Sequence, residues 1–199
     1  MFLLIIIAIT LLSFKFYKWI AKHQLVFYII ATLLAAIAFF ARNIPITKPI
    51  NIGMVGLAFF YVVLIVGVLP KKWKFAIPLR ALRKEWSIVG FLLITPHSLY
   101  NLYNMLFNGK SFTWFGIVTF GIMVPLFITS FTVIRKKMTP KSWKFLQSFA
   151  YLSYIGLFIH IILNASQLLN LVAYLVAFIP YLIVKSILLL RTLKIKLKK

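Results

Sequence analysis

Two histidines, His97 and His160, lie deep inside apolar stretches of this chain. An ionisable side chain in the hydrocarbon of a bilayer is costly, so such a residue is by default a candidate functional site. Imidazole ligates haem iron, and a bis-histidine haem takes one histidine from each of two helices. The alternative is structural: each histidine is neutral and bonds a neighbouring carbonyl, with Pro96 freeing a carbonyl one turn earlier. The two residues alone leave both interpretations open.

The composition of the chain indicates a membrane protein. Of its 199 residues 63% are hydrophobic, against roughly 45–50% in soluble domains. The chain has 23 Lys and Arg residues but a single acidic residue, Glu85. The basic residues fall in short clusters between long apolar runs. This pattern is typical of cytoplasmic loops, so we expect membrane lipid and no nucleic acid as a partner. The absence of cysteine excludes disulfides and cysteine-ligated metal sites.

Seven apolar segments of the sequence predict the helices that must position the two histidines. Each is near the ~20 residues that cross a bilayer, which predicts an all-α, polytopic transmembrane bundle of six to seven helices. The first segment is the weakest, because Lys15 and Lys18 shorten its apolar part. We expect it to be retained, since it has no positive n-region and no clear cleavage site of a signal peptide. The segments span residues 2–20, 25–41, 51–69, 87–107, 113–134, 146–164 and 168–190.

The basic residues predict the orientation of this bundle. Twenty of the 23 lie on one side, in alternate loops and the C-terminal tail, and only Arg42, Lys48 and Lys110 lie on the other. By the positive-inside rule, the N-terminus is outside and the C-terminus is cytoplasmic. The helices of His97 and His160 then both run outwards. Both histidines are expected between the bilayer centre and its outer half.

Several spaced motifs around the histidines resemble one protein family. The stretch Arg83-Lys84-Glu85-Trp86-Ser87, followed by His97-Ser98-Leu99-Tyr100, resembles the Arg-Arg-x-x-Gly…His-x-x-x-Tyr segment of the ferric reductase-like transmembrane domain. The closest branch is the haem-binding membrane subunit of the methionine sulfoxide reductase system. A second block is similar to that family's Leu-x-x-Thr-Ser, basic loop, Trp-x-x-Leu-His, Tyr and His series: Pro125-Leu126-Phe127-Ile128-Thr129-Ser130, Arg135-Lys136-Lys137, Trp143-Lys144-Phe145-Leu146-Gln147, Tyr151 and His160.

The resemblance covers about residues 55–190. It implies that residues 25–199 form the ferric reductase-like domain with a basic cytoplasmic tail, and that residues 1–24 add a helix and a basic loop. It also implies that His97 and His160 are the axial ligands of a haem b. Gln147 stands where the family has its inner histidine, and glutamine is a poor haem ligand, which argues against a second haem.

Two basic residues near the predicted haem-bearing helix have two interpretations. Arg83 and Lys84 could pair with haem propionates. Alternatively, they are interface anchors that follow the positive-inside rule.

The resemblance implies a b-type cytochrome in the cell membrane of a bacterium. Electrons would come from a quinol or a separate flavoprotein, because the chain has no dinucleotide fingerprint; FAD or FMN would act only through a partner. They would leave on the outer side towards a partner reductase, an extracellular flavoprotein or ferric iron. The alternative is a non-catalytic membrane anchor that has lost haem binding, so whether the chain is part of an oxidoreductase stays open.

Overall fold

The computed structural model describes residues 1–70, 72–109, 113–165 and 168–197, and every regular element in those ranges is helical. This confirms the all-α prediction. Lys71, Lys110, Lys198 and Lys199, which contribute to the predicted orientation, lie outside the described residues. Besides one 3-10 turn at Pro45–Thr47, the elements are α1 (Phe2–Lys22), α2 (Gln24–Phe40), α3 (Lys48–Asn51), α4 (Met54–Val66), α5 (Ala76–Ala81), α6 (Arg83–Phe107), α7 (Trp114–Ile128), α8 (Thr132–Arg135), α9 (Pro140–Asn164) and α10 (Leu168–Leu197).

Among the described residues, three helices are long and apolar enough to cross a membrane. They are α1, α9 and the part of α10 at Leu171–Leu188. The pair Pro45–Asn51 and Met54–Val66 passes the same test as a bent unit with an angle of 46°. Helices α2 and α7 are apolar but shorter, at 17 and 15 residues. The described chain is thus compatible with a membrane protein.

Large apolar side chains cover the outer surface of the bundle. Leu4 is 68% exposed, Leu25 69%, Phe145 68% and Leu163 66%. A soluble monomer rarely exposes wide apolar patches, because their contact with water is unfavourable. The buried residues instead concentrate on α4 and the first half of α6. This distribution suits a bundle whose outer side chains contact lipid.

Several predicted segment boundaries differ from the helices; α10, for example, continues beyond the predicted end at 190 to Leu197. Helices α6 and α9 begin earlier than predicted, at Arg83 and Pro140, because charged first turns do not count as apolar sequence. Helix α9 has a local start signal: Thr139 Oγ1 accepts from the backbone N–H of Ser142 at 3.1 Å, and Pro140 takes the first helical position. Helix α7 ends early, at Ile128, where the Thr129 hydroxyl donates to the carbonyl of Pro125 at 2.7 Å.

Glycines bring the helices of the bundle centre close together. Helix α4 packs on α6 where a Cβ added to Gly56 would lie 2.7 Å from Ile94 Cβ and 2.8 Å from the Gly90 carbonyl oxygen. Helix α7 packs on α9 where Gly156 faces Thr119. Small residues permit such close approach between membrane helices. Since α6 also contacts α7, these two tight pairs form the frame of the candidate site.

A buried hydrogen bond docks α1 onto this frame. Trp86 is 2% exposed and Ser13 is fully buried. The Trp86 Nε1–H donates to Ser13 Oγ at 2.8 Å, and the Ser13 hydroxyl donates to the carbonyl of Ile9 at 2.7 Å. A buried indole N–H needs a partner, so this contact links the position of α1 to that of α6.

Candidate functional site

The two predicted histidines face each other across a cavity. His97 of α6 and His160 of α9 have their ring centroids 6.4 Å apart, with the ring planes at 69°. Both line a cavity of about 540 Å³, which we call the histidine cavity. This volume lies within the ~300–1,000 Å³ of small-molecule and cofactor sites. The pairing of these two side chains was an expectation of the sequence, and the structure places them together.

A backbone carbonyl sets the tautomer of His97. Its Nδ1 lies 3.0 Å from the carbonyl oxygen of Asn51, in the short helix α3. A carbonyl can only accept, so Nδ1 carries the hydrogen and Nε2 keeps its lone pair. Metal-ligating histidines characteristically make this second hydrogen bond. The contact also matches the structural interpretation of a neutral histidine bonded to a carbonyl, so it does not by itself separate the two.

Each histidine is followed four residues later by an asparagine on the same helix face. The amide of Asn101 donates to the carbonyl of His97 at 2.8 Å, and that of Asn164 to the carbonyl of His160 at 2.7 Å. Both amide nitrogens also lie 3.3 Å from the Nδ1 of their histidine. This asparagine pair was not predicted, although the repeated His-x-x-x-Asn spacing is visible in the sequence.

Each imidazole also packs against a glycine of another element. A Cβ added to Gly53 would lie 3.2 Å from His97 Cδ2, and one added to Gly116 would lie 2.8 Å from His160 Cε1. Gly53 has φ +77°, a left-handed conformation that glycine adopts without a Cβ clash. It breaks the predicted segment 51–69 and separates α3 from α4. The two glycines therefore leave space for the rings beside the backbone.

The spacing of the rings fits a bis-histidine haem. Two imidazole–metal bonds of about 2.0–2.1 Å, the range for zinc, plus about 1.2 Å from each nitrogen to its ring centroid, place two ligating rings about 6.4 Å apart. The observed separation of 6.4 Å agrees with this value, and it also lies within the range of about 4.5–7 Å for a direct edge-to-face contact of two rings. No group of three or more His, Cys, Asp or Glu side chains that could hold a metal ion occurs among the described residues. A haem needs only two axial side chains, since the porphyrin supplies the other ligands.

Arg42 adds a cation to the wall of the histidine cavity. It lies in the turn after α2, with its Cζ 3.4 Å from the centroid of the Tyr100 ring. Its Nη1 is buried without a hydrogen-bond partner, and so is Oδ1 of the adjacent Asn51. Burial lowers the pKa of Arg42, but a guanidinium stays charged at neutral pH. From the sequence, Arg42 was expected on the outer side, and no role in a site was predicted for it.

A second cavity, of about 490 Å³, contains Gln147 in its lining, and we call it the glutamine cavity. The Gln147 amide lies 3.3 Å from Thr129 Oγ1 and 3.4 Å from the carbonyl oxygen of Leu126, to which it donates. None of the described residues that line this cavity is a histidine. These residues do not fit a second histidine-ligated haem. Met123 lines both cavities.

Arg83 and Lys84 line the glutamine cavity, at the start of α6. They precede His97 by 14 and 13 residues, which is about 20 Å along a helix. The Lys84 ammonium donates to Gln24 Oε1 at 2.8 Å and pairs with Glu85 Oε1 at 3.1 Å. The structure therefore does not bring these two residues to the histidine pair.

No family model, curated protein or solved structure matches the chain. Its function must therefore be inferred from its own residues and their arrangement.

Proposed function

We propose that this chain is an integral membrane b-type cytochrome of the ferric reductase-like transmembrane family, with one haem b between His97 and His160. The observation that supports this most is the 6.4 Å separation of the two rings on one cavity. The haem would supply one-electron redox chemistry. The chain's own part is to hold the two imidazoles at ligating distance and to keep His97 in the Nδ1–H tautomer through Asn51.

The proposal includes a seven-span topology in the cell membrane of a bacterium. Its support is that each of the seven apolar segments contains a helix, when α3 and α4 are counted as one bent span, and that α1, α9, α10 and this bent pair have the length and hydropathy of membrane spans. The one-sided distribution of basic residues favours an external N-terminus and a cytoplasmic C-terminus. In that orientation the histidine cavity lies towards the outside, and the glutamine cavity lies towards the cytoplasm.

This arrangement favours an outward path for electrons. The donor is a quinol from the membrane or a separate flavoprotein, which would carry any FAD or FMN. The acceptor lies outside and is a partner reductase, a flavoprotein or ferric iron. Because the glutamine cavity does not fit a haem, a quinol that enters from the bilayer suits the chain better than a donor confined to the cytoplasmic face.

A second candidate function is a non-catalytic anchor that has lost haem binding. Gln147 favours it, because its amide donates to the α7 carbonyl of Leu126 and stands in the position of a family ligand. In that case the bond between His97 and Asn51 is purely structural. The two functions differ in whether the histidines are needed for electron transfer or only for assembly.

A reduced-minus-oxidised absorption spectrum with haem quantification tests the proposal. Protein purified from haem-replete cells should show a low-spin b-type spectrum with one haem per chain. His97→Ala and His160→Ala should each abolish it without loss of the assembled protein. His23→Ala is the matched control and should keep the spectrum, since the His23 side chain does not line the histidine cavity and its Nδ1 lies 2.9 Å from the carbonyl oxygen of Trp19. A colourless wild-type protein would reject the cytochrome in favour of the anchor.

A further inference from the structure

The histidine cavity contains an unsatisfied cation that the proposed haem ligands do not explain. Arg42 stacks on Tyr100, yet its Nη1 is buried and has no hydrogen-bond partner among the described residues. A buried donor without a partner is costly, and more so on a charged group. The contact with Tyr100 orients the guanidinium, but Nη1 still has no hydrogen-bond partner among the described residues. Nη1 of Arg42 therefore suits an acceptor that the described residues do not supply.

A bound haem b would bring acceptors into this cavity. It carries two propionates, and a carboxylate removed from water is costly unless it is paired. Of the described residues that line the histidine cavity, Arg42 is the only Lys or Arg. The basic residues of the glutamine cavity are not an alternative, because Arg83 and Lys84 lie about 20 Å along α6 from His97.

The neighbour of Arg42 is consistent with a carboxyl group at this point. Asn51 Nδ2 lies 3.5 Å from the Arg42 carbonyl oxygen, which places the two residues side by side. Asn51 Oδ1 is a buried acceptor without a partner. Nη1 of Arg42 is thus a donor without a partner, and Oδ1 of Asn51 beside it is an acceptor without one. A carboxyl group suits this pair, because one of its oxygens can accept from Arg42, while its own proton or a bridging water donates to Asn51.

We propose that Arg42 binds a propionate of the haem held between His97 and His160. This inference rests on the proposed function. It assigns the propionate contact to the segment between α2 and α3 instead of to the start of α6. One short segment would then carry both the cation for the propionate and the Asn51 carbonyl that sets the tautomer of His97.

A comparison of haem with its dimethyl ester tests this assignment, because the ester keeps the iron and the ring but has no carboxylate. Apo-protein from haem-deficient cells is titrated with each compound. The wild type should bind haem roughly 10- to 100-fold more tightly than the ester, as expected for a charge-assisted hydrogen bond. Arg42→Gln should lose most of this preference and keep the ester affinity. Arg42→Lys keeps the positive charge but lacks the planar guanidinium with its paired N–H donors, so its preference for haem over the ester should be intermediate.

Lys48→Gln is the matched control, since Lys48 is an exposed cation nearby that does not line the cavity. It should keep the wild-type preference for haem. The inference is overturned if the wild type binds haem and ester equally, or if Arg42→Gln weakens both equally. An unchanged preference in Arg42→Gln would overturn it as well, and would indicate another anion, such as a lipid phosphate, at Arg42. If the folded wild type binds neither compound, the haem proposal itself fails and this inference falls with it.

Discussion

Gly116 of α7 controls the space available to the imidazole of His160. In Gly116→Ala the new Cβ would lie 2.8 Å from His160 Cε1 and 3.0 Å from Nδ1. Ordinary carbon–carbon contacts are about 3.5–4.0 Å, so the ring must move by about 0.7 Å or more. Metal–ligand distances tolerate only about ±0.2 Å. We therefore expect haem affinity to fall at least tenfold, with loss of the low-spin spectrum.

Gly121→Ala provides the matched control for this substitution. Gly121 lies on the same helix, and a Cβ there would meet nothing within 4 Å. Alanine is the better helix former by about 1 kcal/mol, so neither change weakens the helix itself. Gly121→Ala should keep wild-type haem content and gain slightly in thermal stability. Haem titration and absorption spectra of both variants measure the difference. A Gly116→Ala protein with wild-type affinity and spectrum would refute the assignment of His160 as a ligand.

Three further substitutions test the packing of the frame and the chemistry of the glutamine cavity. Gly56→Ala should destabilise the protein by about 1–3 kcal/mol, because its Cβ would lie 2.8 Å from the α6 backbone. Thermal unfolding measures this loss, and an unchanged melting temperature would contradict the close approach of α4 and α6. Trp86→Phe should lower the free energy of unfolding by about 1 kcal/mol, because it removes the hydrogen bond to Ser13. The double variant with Ser13→Ala should be only slightly less stable than Trp86→Phe. Fully additive losses of stability would show that the bond is unimportant. Gln147→His should leave haem content at one per chain, because no histidine faces it in the described cavity lining, and two haems per chain would show that reasoning to be wrong.

The positions of the long helices could be predicted because bilayer-length apolar runs are a direct sequence signal. The depths counted from the basic loops placed His97 and His160 at similar but not identical levels, and the family resemblance was what singled them out as a pair. The residues that complete the site were not predictable in this way. Asn51 reaches His97 across 46 positions of sequence, and this contact depends on the break at Gly53.

Arg42 shows a related limit of sequence reasoning. In the sequence it is one of three cations on the sparse side of the bundle, and it contributes only to the orientation. Its contact with Tyr100 depends on how the turn after α2 folds over the end of α6. Arg83 and Lys84 had two interpretations, as propionate contacts or as interface anchors, and the rise of α6 places them about 20 Å along the helix from His97.

Met123 connects the two cavities of the bundle. Its side chain, 6% exposed, contributes to the wall of both the histidine cavity and the glutamine cavity. The size and flexibility of this thioether therefore affect the shape of both cavities at once. Leucine at this position would keep most of the volume of the shared wall, whereas alanine would remove part of it. The two cavities are thus coupled through a residue that is not among the proposed haem ligands.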